Sequence, residues 1–171
     1  MATLVSGKGD AVVAVTTKAA GARVAGLLLQ AGHSQTATLL RWGDRAGDGG
    51  DATNPGVLSD VFGRVGGPDA PAPAPEVQVD VLLTINSDNV VIDNTWLWRA
   101  DHDITGLVNG SRNPSKNGMV VNGDHVTGLG IAIEHHLEDG LVWNGEDGAL
   151  YFYQAELPYD VTQVCNPNLN L

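Results

Sequence analysis

Two glutamates, Glu134 and Glu156, are the residues of this 171-residue chain best suited by type and spacing to do chemistry together. They lie 22 residues apart, at the same position in two similar segments that begin at Asn122 and Asn144. If these segments are successive turns of one repeating structure, the two glutamates lie on neighbouring strands about 4.8 Å apart. Two carboxyl groups that close cannot both ionise freely, so we expect one of the pair to have a raised pKa. A protonated acid beside an ionised one is the pair that glycoside hydrolysis uses.

The same alignment places a set of ring and amide side chains next to the two glutamates. A third related segment begins at Asn86, 36 residues before Asn122, and it puts Trp96 in one column with Gln154, and Trp98 in the column of the glutamates. Because side chains alternate along a strand, we expect these groups to point outward, while the more apolar columns between them face the core. Those columns are Thr95/Ile131/Tyr153 and Leu97/Ile133/Ala155. Tryptophan offers a flat apolar surface to a sugar ring, and the glutamine amide can bond to hydroxyl groups.

A less specific interpretation of this face stays open. The glutamates could form an acidic ladder that water or bound cations keep soluble, with the tryptophans packed under a loop. A second polar cluster, Arg99-Ala-Asp-His-Asp103, is either a catalytic corner or a salt-bridged turn. In the first case Asp101 is an alternative catalytic partner, because inverting hydrolysis needs carboxyl groups ~6.5–9.5 Å apart and retaining hydrolysis ~5–5.5 Å. Arg99 and His102 are then candidates for contacting the substrate.

Two adjacent histidines, His135 and His136, follow the first glutamate. One of them must point inward or into a corner, where a buried, hydrogen-bonded histidine is the ordinary expectation. With Glu134 and Glu138 they also resemble metal ligands, but the His-Glu-x-x-His pattern of a zinc helix is absent. We therefore predict no metal. The sequence also lacks a P-loop and a dinucleotide-binding glycine pattern, so we predict no cofactor, and it lacks the nucleophile elbow of a serine hydrolase.

The elements that position these residues are short strands at repeating intervals. A repeat of about 22 residues with an Asn/Gly corner predicts a solenoid, and coils that return in the same sense pair in parallel. The expected fold is an all-β, right-handed, single-stranded parallel β-helix of about five or six coils. We place Val24 in register with Val90, 66 residues later. Earlier strands are predicted over residues 11–18, 23–31, 36–42, 57–65 and 77–85.

Composition limits the class of protein and its partners. We expect one domain over residues 1–171, with a surface loop at Pro68–Pro75 and a loose tail over 162–171. The net charge of −11 argues against nucleic acid, and no stretch is long and apolar enough to cross a membrane. One cysteine, Cys165, allows no internal disulfide. The N-terminus lacks the basic and apolar regions of a signal peptide.

Four motifs resemble a known family. They are Val90-Val-Ile-Asp-Asn-Thr-Trp-Leu-Trp-Arg-Ala-Asp-His102, Asn117-Gly-Met-Val-Val-Asn-Gly-Asp124, Val142-Trp-Asn-Gly-Glu146 and Tyr151-Phe-Tyr-Gln-Ala-Glu-Leu-Pro-Tyr-Asp160. They are similar to secreted bacterial and fungal parallel β-helix proteins of the pectate-lyase superfamily, often joined to discoidin (coagulation factor 5/8 type) domains and resembling family 55 glucan hydrolases. The resemblance implies a short member of this group, secretion, and a polysaccharide or oligosaccharide as substrate.

Three functions remain open at this point. The first is hydrolysis of a β-glucan-like polysaccharide by Glu134 and Glu156. The second is a non-catalytic module that binds glycan, or that self-associates through its open coil ends. The third is elimination on an acidic polymer, which would want Ca²⁺ and a basic residue, and for which an acidic face provides poor electrostatics.

Overall fold

A computed structural model describes residues 1–159 except 8, 10, 17, 68–76, 105 and 109–111. The predicted proline loop, the predicted tail and Cys165 lie outside the described residues. Within them the chain forms thirteen β-strands. Among these residues no helix is long and apolar enough to span a membrane.

Six strands form the first sheet, and every neighbouring pair in it is parallel. In spatial order they are β1 (Ala2–Val5), β3 (Arg23–Gln30), β5 (Gly56–Val65), β7 (Val90–Arg99), β11 (Thr127–Glu134) and β13 (Ala149–Glu156). The sequence predicted β3 and β5 within a residue or two, and it left β1 unassigned.

Five strands form the second sheet, again all parallel. In spatial order they are β12 (Leu141–Trp143), β10 (Asn117–Val121), β6 (Val81–Ile85), β4 (Thr38–Trp42) and β2 (Val13–Val15). A small antiparallel hairpin, β8 (His102–Asp103) and β9 (Gly106–Leu107), interrupts the alternation after β7. Elsewhere the chain passes from one sheet to the other and back, which is the arrangement of a parallel β-helix, as predicted.

The hydrophobic core consists of side chains stacked in columns inside the solenoid. Leu40 pairs with Leu83 and Leu83 with Met119 in the second sheet, and all three are buried. Leu58 and Ile92 form an equivalent buried column in the first sheet. Burying each such side chain contributes about 1.5–3 kcal/mol, so every added coil extends one continuous core.

The predicted register around the glutamates is confirmed, and the register predicted for Val24 is wrong. Val24 pairs with Leu58, which pairs with Ile92, so Val24 aligns two residues beyond Val90. The spacing of equivalent positions is 34 residues in each of these two steps and falls to 22 in the last coil, between Gly128 and Leu150 and between Met119 and Leu141. Loops of different length between the strands explain why one repeat length does not describe the whole chain.

A column of left-handed residues bends the strands of the first sheet. Gly26, Asp60, Asn94, Gly130 and Phe152 occupy equivalent positions, with φ between 52° and 69°. Glycine adopts this conformation freely, and Asn and Asp do so at low cost. The bend divides each strand, and on β7, β11 and β13 the candidate site residues Trp96, Trp98, Glu134, Gln154 and Glu156 all follow it.

The Asn corners are joined by a ladder of side-chain amides. Asn122 Nδ2 donates to Asn86 Oδ1 at 2.8 Å, and Asn144 Nδ2 donates to Asn122 Oδ1 at 2.8 Å. A parallel ladder runs beside it, in which the Asp124 amide donates to Asp88 Oδ1 at 2.9 Å. These bonds hold successive corners in register, which explains why the sequence repeats Asn at this position.

Candidate active site

Glu134 and Glu156 lie side by side at the ends of β11 and β13. The two are register partners, and Trp98 on β7 is the partner of Glu134 on its other side. One oxygen from each carboxylate and one nitrogen of His135 lie within 4.8 Å of one another. The structure therefore brings the two predicted acids together on the outer face of the first sheet.

His135 lies behind the two acids, with its ring orientation fixed by the backbone. Its Nδ1 is 3.0 Å from the carbonyl of Leu157, which can only accept, so Nδ1 carries the hydrogen. Nε2 consequently faces acids, at 3.6 Å from Glu156 Oε2 and 3.9 Å from Asp101 Oδ1. The side chain is buried, and the backbone has a φ of 63°, which only a well-determined environment maintains in a residue other than glycine.

Two further side chains orient Glu156. Gln154 Nε2 donates to Oε1 at 3.1 Å, and the Tyr159 hydroxyl donates to Oε2 at 2.8 Å. The bond to Glu156 raises the pKa of Tyr159, with the negative charge of the same carboxylate adding to the effect. The Tyr159 ring also lies against His135, with centroids 4.8 Å apart. Sequence reasoning missed Tyr159, although its place three residues after a candidate catalytic acid was a usable signal.

Asp101 completes the cluster of acids. Burial opposes its ionisation, but its hydrogen bond with His102 and the electrostatic influence of His135 outweigh this and hold its pKa below the ordinary value of 3.8. His102 Nδ1 lies 2.9 Å from Asp101 Oδ1 and the His102 ring is mostly exposed. Asp101 is therefore ionised at neutral pH and connects His102 with His135.

The two tryptophans differ in accessibility, although both belong to the outward columns. Their rings stack with centroids 5.3 Å apart and an interplanar angle of 22°. Trp96 is 40% exposed, whereas Trp98 is only 9% exposed, between Trp96 and the tilted ring of His102. The prediction that both present open surface is wrong for Trp98. Trp96 supplies the open ring face, and Trp98 supports it from behind.

Arg99 does not contact solvent, so its predicted role in touching a substrate is wrong. It is 1% exposed, and its guanidinium donates to the carbonyls of Arg112, His135 and Asn113 at 2.9, 3.1 and 3.3 Å. Carbonyl groups of three residues, from two separate segments of the chain, thus meet on one side chain. Arg99 is part of the framework that fixes the position of His135.

Tyr153 and Ala155 were predicted to face the core, and neither is buried. Tyr153 belongs to the column of the buried Ile131 but is 41% exposed. The reason is that β13 is the outermost strand of the first sheet, so among the described residues no further strand covers it. The inward orientation was inferred correctly, and the position of this strand at the edge was not.

His136 is buried, and both of its ring nitrogens form hydrogen bonds within the core. Its Nε2 donates to the Leu97 carbonyl at 3.2 Å, and its Nδ1 accepts from the Ser115 hydroxyl at 3.0 Å. Burial lowers the pKa of His136 to about 4, against the hydrogen bond to Leu97 and with help from the charge on Arg99. The expectation of a buried, hydrogen-bonded histidine is confirmed at this position.

Glu134, His135 and Glu156 also have the donor types and the mutual distances that could hold a cation. A histidine whose Nδ1 is held by a carbonyl while Nε2 faces carboxylates is common in metal sites. The same geometry also suits acid–base chemistry without a metal, because a single proton bound by one of the two carboxyl groups is enough to relieve the repulsion between them. The sequence-based prediction of no metal stays a prediction.

Comparison with known proteins gives consistent matches along the chain. A family model described as the LAM55 pectate lyase-like domain matches residues 1–156. An exo-beta-1,3-glucanase from Streptomyces sp. (strain SirexAA-E / ActE) is 39% identical over 140 residues, which are 82% of this chain and 22% of that protein.

Two solved structures of sacteLam55A from Streptomyces sp. SirexAA-E are also similar. One is 35% identical with a TM-score of 0.83. The other, a glutamate-to-alanine variant in complex with glucose, is 33% identical with a TM-score of 0.84. Each match covers 99% of this chain and 29% of the solved one, so this chain spans less than a third of the proteins that it matches.

Proposed function

The chain belongs to the LAM55 pectate lyase-like domain family, and from this we propose that it hydrolyses β-1,3-linked glucan, or is the part of such a hydrolase that carries the acid–base pair. The observation that carries the proposal is the placement of Glu134 and Glu156 as register partners within 4.8 Å, one strand from an exposed tryptophan. An intact polysaccharide does not cross a cell membrane, so its hydrolysis takes place outside the cell, and we propose an extracellular protein.

The chemistry follows from what surrounds each acid. One carboxyl group protonates the glycosidic oxygen as its bond to the anomeric carbon breaks, and the other acts as a carboxylate on the opposite side of the sugar. Gln154 and Tyr159 hold Glu156 in one orientation, which reduces the reorganisation needed in the transition state. Trp96 presents a ring face on which a sugar can stack.

Which carboxylate acts together with the general acid depends on whether hydrolysis retains or inverts the configuration at the anomeric carbon. An oxygen of each carboxylate lies within 4.8 Å of the other, closer than the ~6.5–9.5 Å that an inverting pair needs, so this pair suits a retaining course, in which the second carboxylate attacks the sugar. An inverting course needs room for a water, and Asp101 is then the partner, with His102 as a neighbouring contact. Proton NMR of the first anomer released decides between Glu134–Glu156 and a pair that includes Asp101.

The test is reducing-sugar release by the purified chain from β-1,3-glucans, other β-glucans, α-glucans and pectin, with Glu134→Gln as the control variant. We expect release from β-1,3-glucan that disappears in the variant. Release that persists in the variant would refute the assignment of the pair, and release from pectin alone would indicate an acidic polymer as the substrate instead of a β-glucan.

A second candidate is supported by the length of the chain. Because it matches only 22% and 29% of its relatives, other parts of those proteins can be required to close the site. In that case the chain is a glycan-binding module without turnover. Binding of β-1,3-oligosaccharides by calorimetry, with no product after long incubation, would favour this function over hydrolysis.

A further inference from the structure

The outer face of the first sheet continues beyond the tryptophans toward the other end of the solenoid. We propose that this continuation is a second sugar-binding subsite, formed by Phe62 and Arg64 with Leu28 and Gln30, which binds a more distant unit of the same neutral glucan. The proposal rests on the function proposed above, since it assigns the path of the polysaccharide away from the two glutamates.

The register places these residues in the same two outward columns as the candidate active site. Leu28 pairs with Phe62, and the neighbouring pair Gly63–Leu97 puts Phe62 opposite Trp96. In the second column Gln30 pairs with Arg64, and Arg64 with Trp98, whose next partner is Glu134. A ligand that leaves the carboxylates across the strands therefore meets Trp96 first and Phe62 next.

A pocket lies on this path. Its volume is about 320 Å³, within the range of ligand sites. The residues that line it are mainly apolar: Met1, Leu28, Phe62, Gly63, Arg64, Trp96 and Trp98. Gly63 lies between Phe62 and Arg64, and a side chain at this position would point into the core against Leu82 and Leu97, so the outward face of the strand here is formed by Phe62 and Arg64. Flat apolar walls of this kind suit the C–H faces of sugar rings.

Polar groups at the edge of the pocket suit hydroxyl groups. Arg64 Nε and Nη2 both donate to Gln30 Oε1, at 2.9 and 2.6 Å. The pair is partly buried, so the guanidinium is held in one orientation along the pocket. Gln30 uses its oxygen in this pair, so its amide NH₂ is the group that can donate to a sugar hydroxyl.

The proposed subsite is too far from the two glutamates to bind the sugar unit that reacts. Phe62 lies two strands from Glu134, and strands are about 4.8 Å apart, so the two lie about 10 Å apart across the sheet. One sugar unit cannot contact both. The subsite therefore distinguishes long from short substrates and leaves the bond-breaking step unchanged.

The experiment measures KM and kcat for β-1,3-oligosaccharides of two to six units with Phe62→Ala, Arg64→Ala and the control Ser59→Ala. Ser59 lies on the same strand on the other side of the bend at Asp60. We expect Phe62→Ala to raise KM for the hexasaccharide about tenfold, which corresponds to about 1.4 kcal/mol. The disaccharide KM, every kcat and the control should be unchanged.

Calorimetry of the hexasaccharide in a Glu134→Gln background provides a readout that does not need turnover, with the same loss of affinity expected. An equal change for the disaccharide and hexasaccharide, or none for either, would overturn the subsite while leaving the acid pair intact. Tighter binding of pectin oligosaccharides than of neutral glucan would overturn the assignment of its ligand. Hydrolysis that survives Glu134→Gln would instead refute the proposed function.

Discussion

Adjacent histidines, His135 and His136, have opposite surroundings in this solenoid. His135 turns its Nε2 toward Glu156 and Asp101, whereas His136 turns into the core and bonds to Leu97 and Ser115. The alternation of a strand ends at Glu134, and the positive φ of His135 produces the change in direction. One side chain thus joins the candidate active site while its neighbour stabilises the framework below it.

His136 should make stability depend on pH. Its pKa is about 4 in the folded chain and about 6.5 when unfolded, so between these values the unfolded chain binds more protons. The stabilising contribution is complete above about pH 6.5 and is lost as the pH falls toward 4, by about 3 kcal/mol. Chemical denaturation from pH 7 to 4 should show this loss, and His136→Asn should show a shallower one. Parallel pH curves for the two proteins would contradict the assignment.

Spacing predicted the outward columns of Glu134, Glu156, Trp96 and Gln154, because register within a parallel stack is a local property. It did not predict the burial of Arg99, which depends on carbonyl groups of Arg112 and Asn113 that a loop carries back to it. Contacts of this kind have no periodic signature. Tyr159 was also missed, since it follows the last strand and lies outside the aligned columns, and only its place three residues after Glu156 pointed to it.

At the scale of elements, the solenoid is held together at its corners as much as in its core. The strands of the second sheet are three to five residues long, and β6, β10 and β12 are each followed by an Asn whose side-chain amide bonds across coils. Asn122 takes part in two of these bonds and Asn144 in one. The corner ladder therefore has an interior member and an end member that can be compared.

Asn122→Ala should destabilise the chain about twice as much as Asn144→Ala. Each lost hydrogen bond costs about 1 kcal/mol, and removing Asn122 leaves both neighbours without their partner. We expect losses of about 2 and about 1 kcal/mol in the free energy of unfolding by urea. Equal losses would mean that the corners are not coupled through Asn122.

The sequence repeats predicted the positions of the Asn corners correctly, but they did not predict the number of residues in each coil. Asn86, Asn122 and Asn144 were identified from their spacing, and the ladder joins all three. Coil length varies because loops such as the hairpin after β7 add residues without changing the register of the strands. A single period of 22 residues therefore failed for Val24, where the coils are longer.

At the scale of the whole molecule, the described part of the solenoid has two edges. Strands β1 and β2 at one end, and β12 and β13 at the other, each pair on one side only. Exposed aromatic side chains accompany the second edge, at Tyr151, Phe152 and Tyr153. Because the strands within each of the two large sheets are all parallel, the edge of one molecule can pair with the opposite edge of another by simple translation.

Self-association through these edges is therefore expected, and it stays a prediction. Sedimentation velocity should show a mass that increases with concentration, and Tyr151→Lys should reduce the increase, since an edge lysine opposes strand pairing. Ser59→Lys, away from both edges, serves as the control. A monomer at every concentration would exclude pairing through the ends.

The most direct test of the central claim is the rate of β-1,3-oligosaccharide hydrolysis by Glu134→Gln and Glu156→Gln. Removing a general acid or base typically costs 10²–10⁴-fold, so both variants should lose at least ~100-fold in kcat while their circular dichroism stays unchanged. Glu138→Gln, a nearby exposed glutamate outside the pair, should keep full activity. Folded variants of Glu134 and Glu156 with unchanged kcat would show that this pair does not carry the reaction.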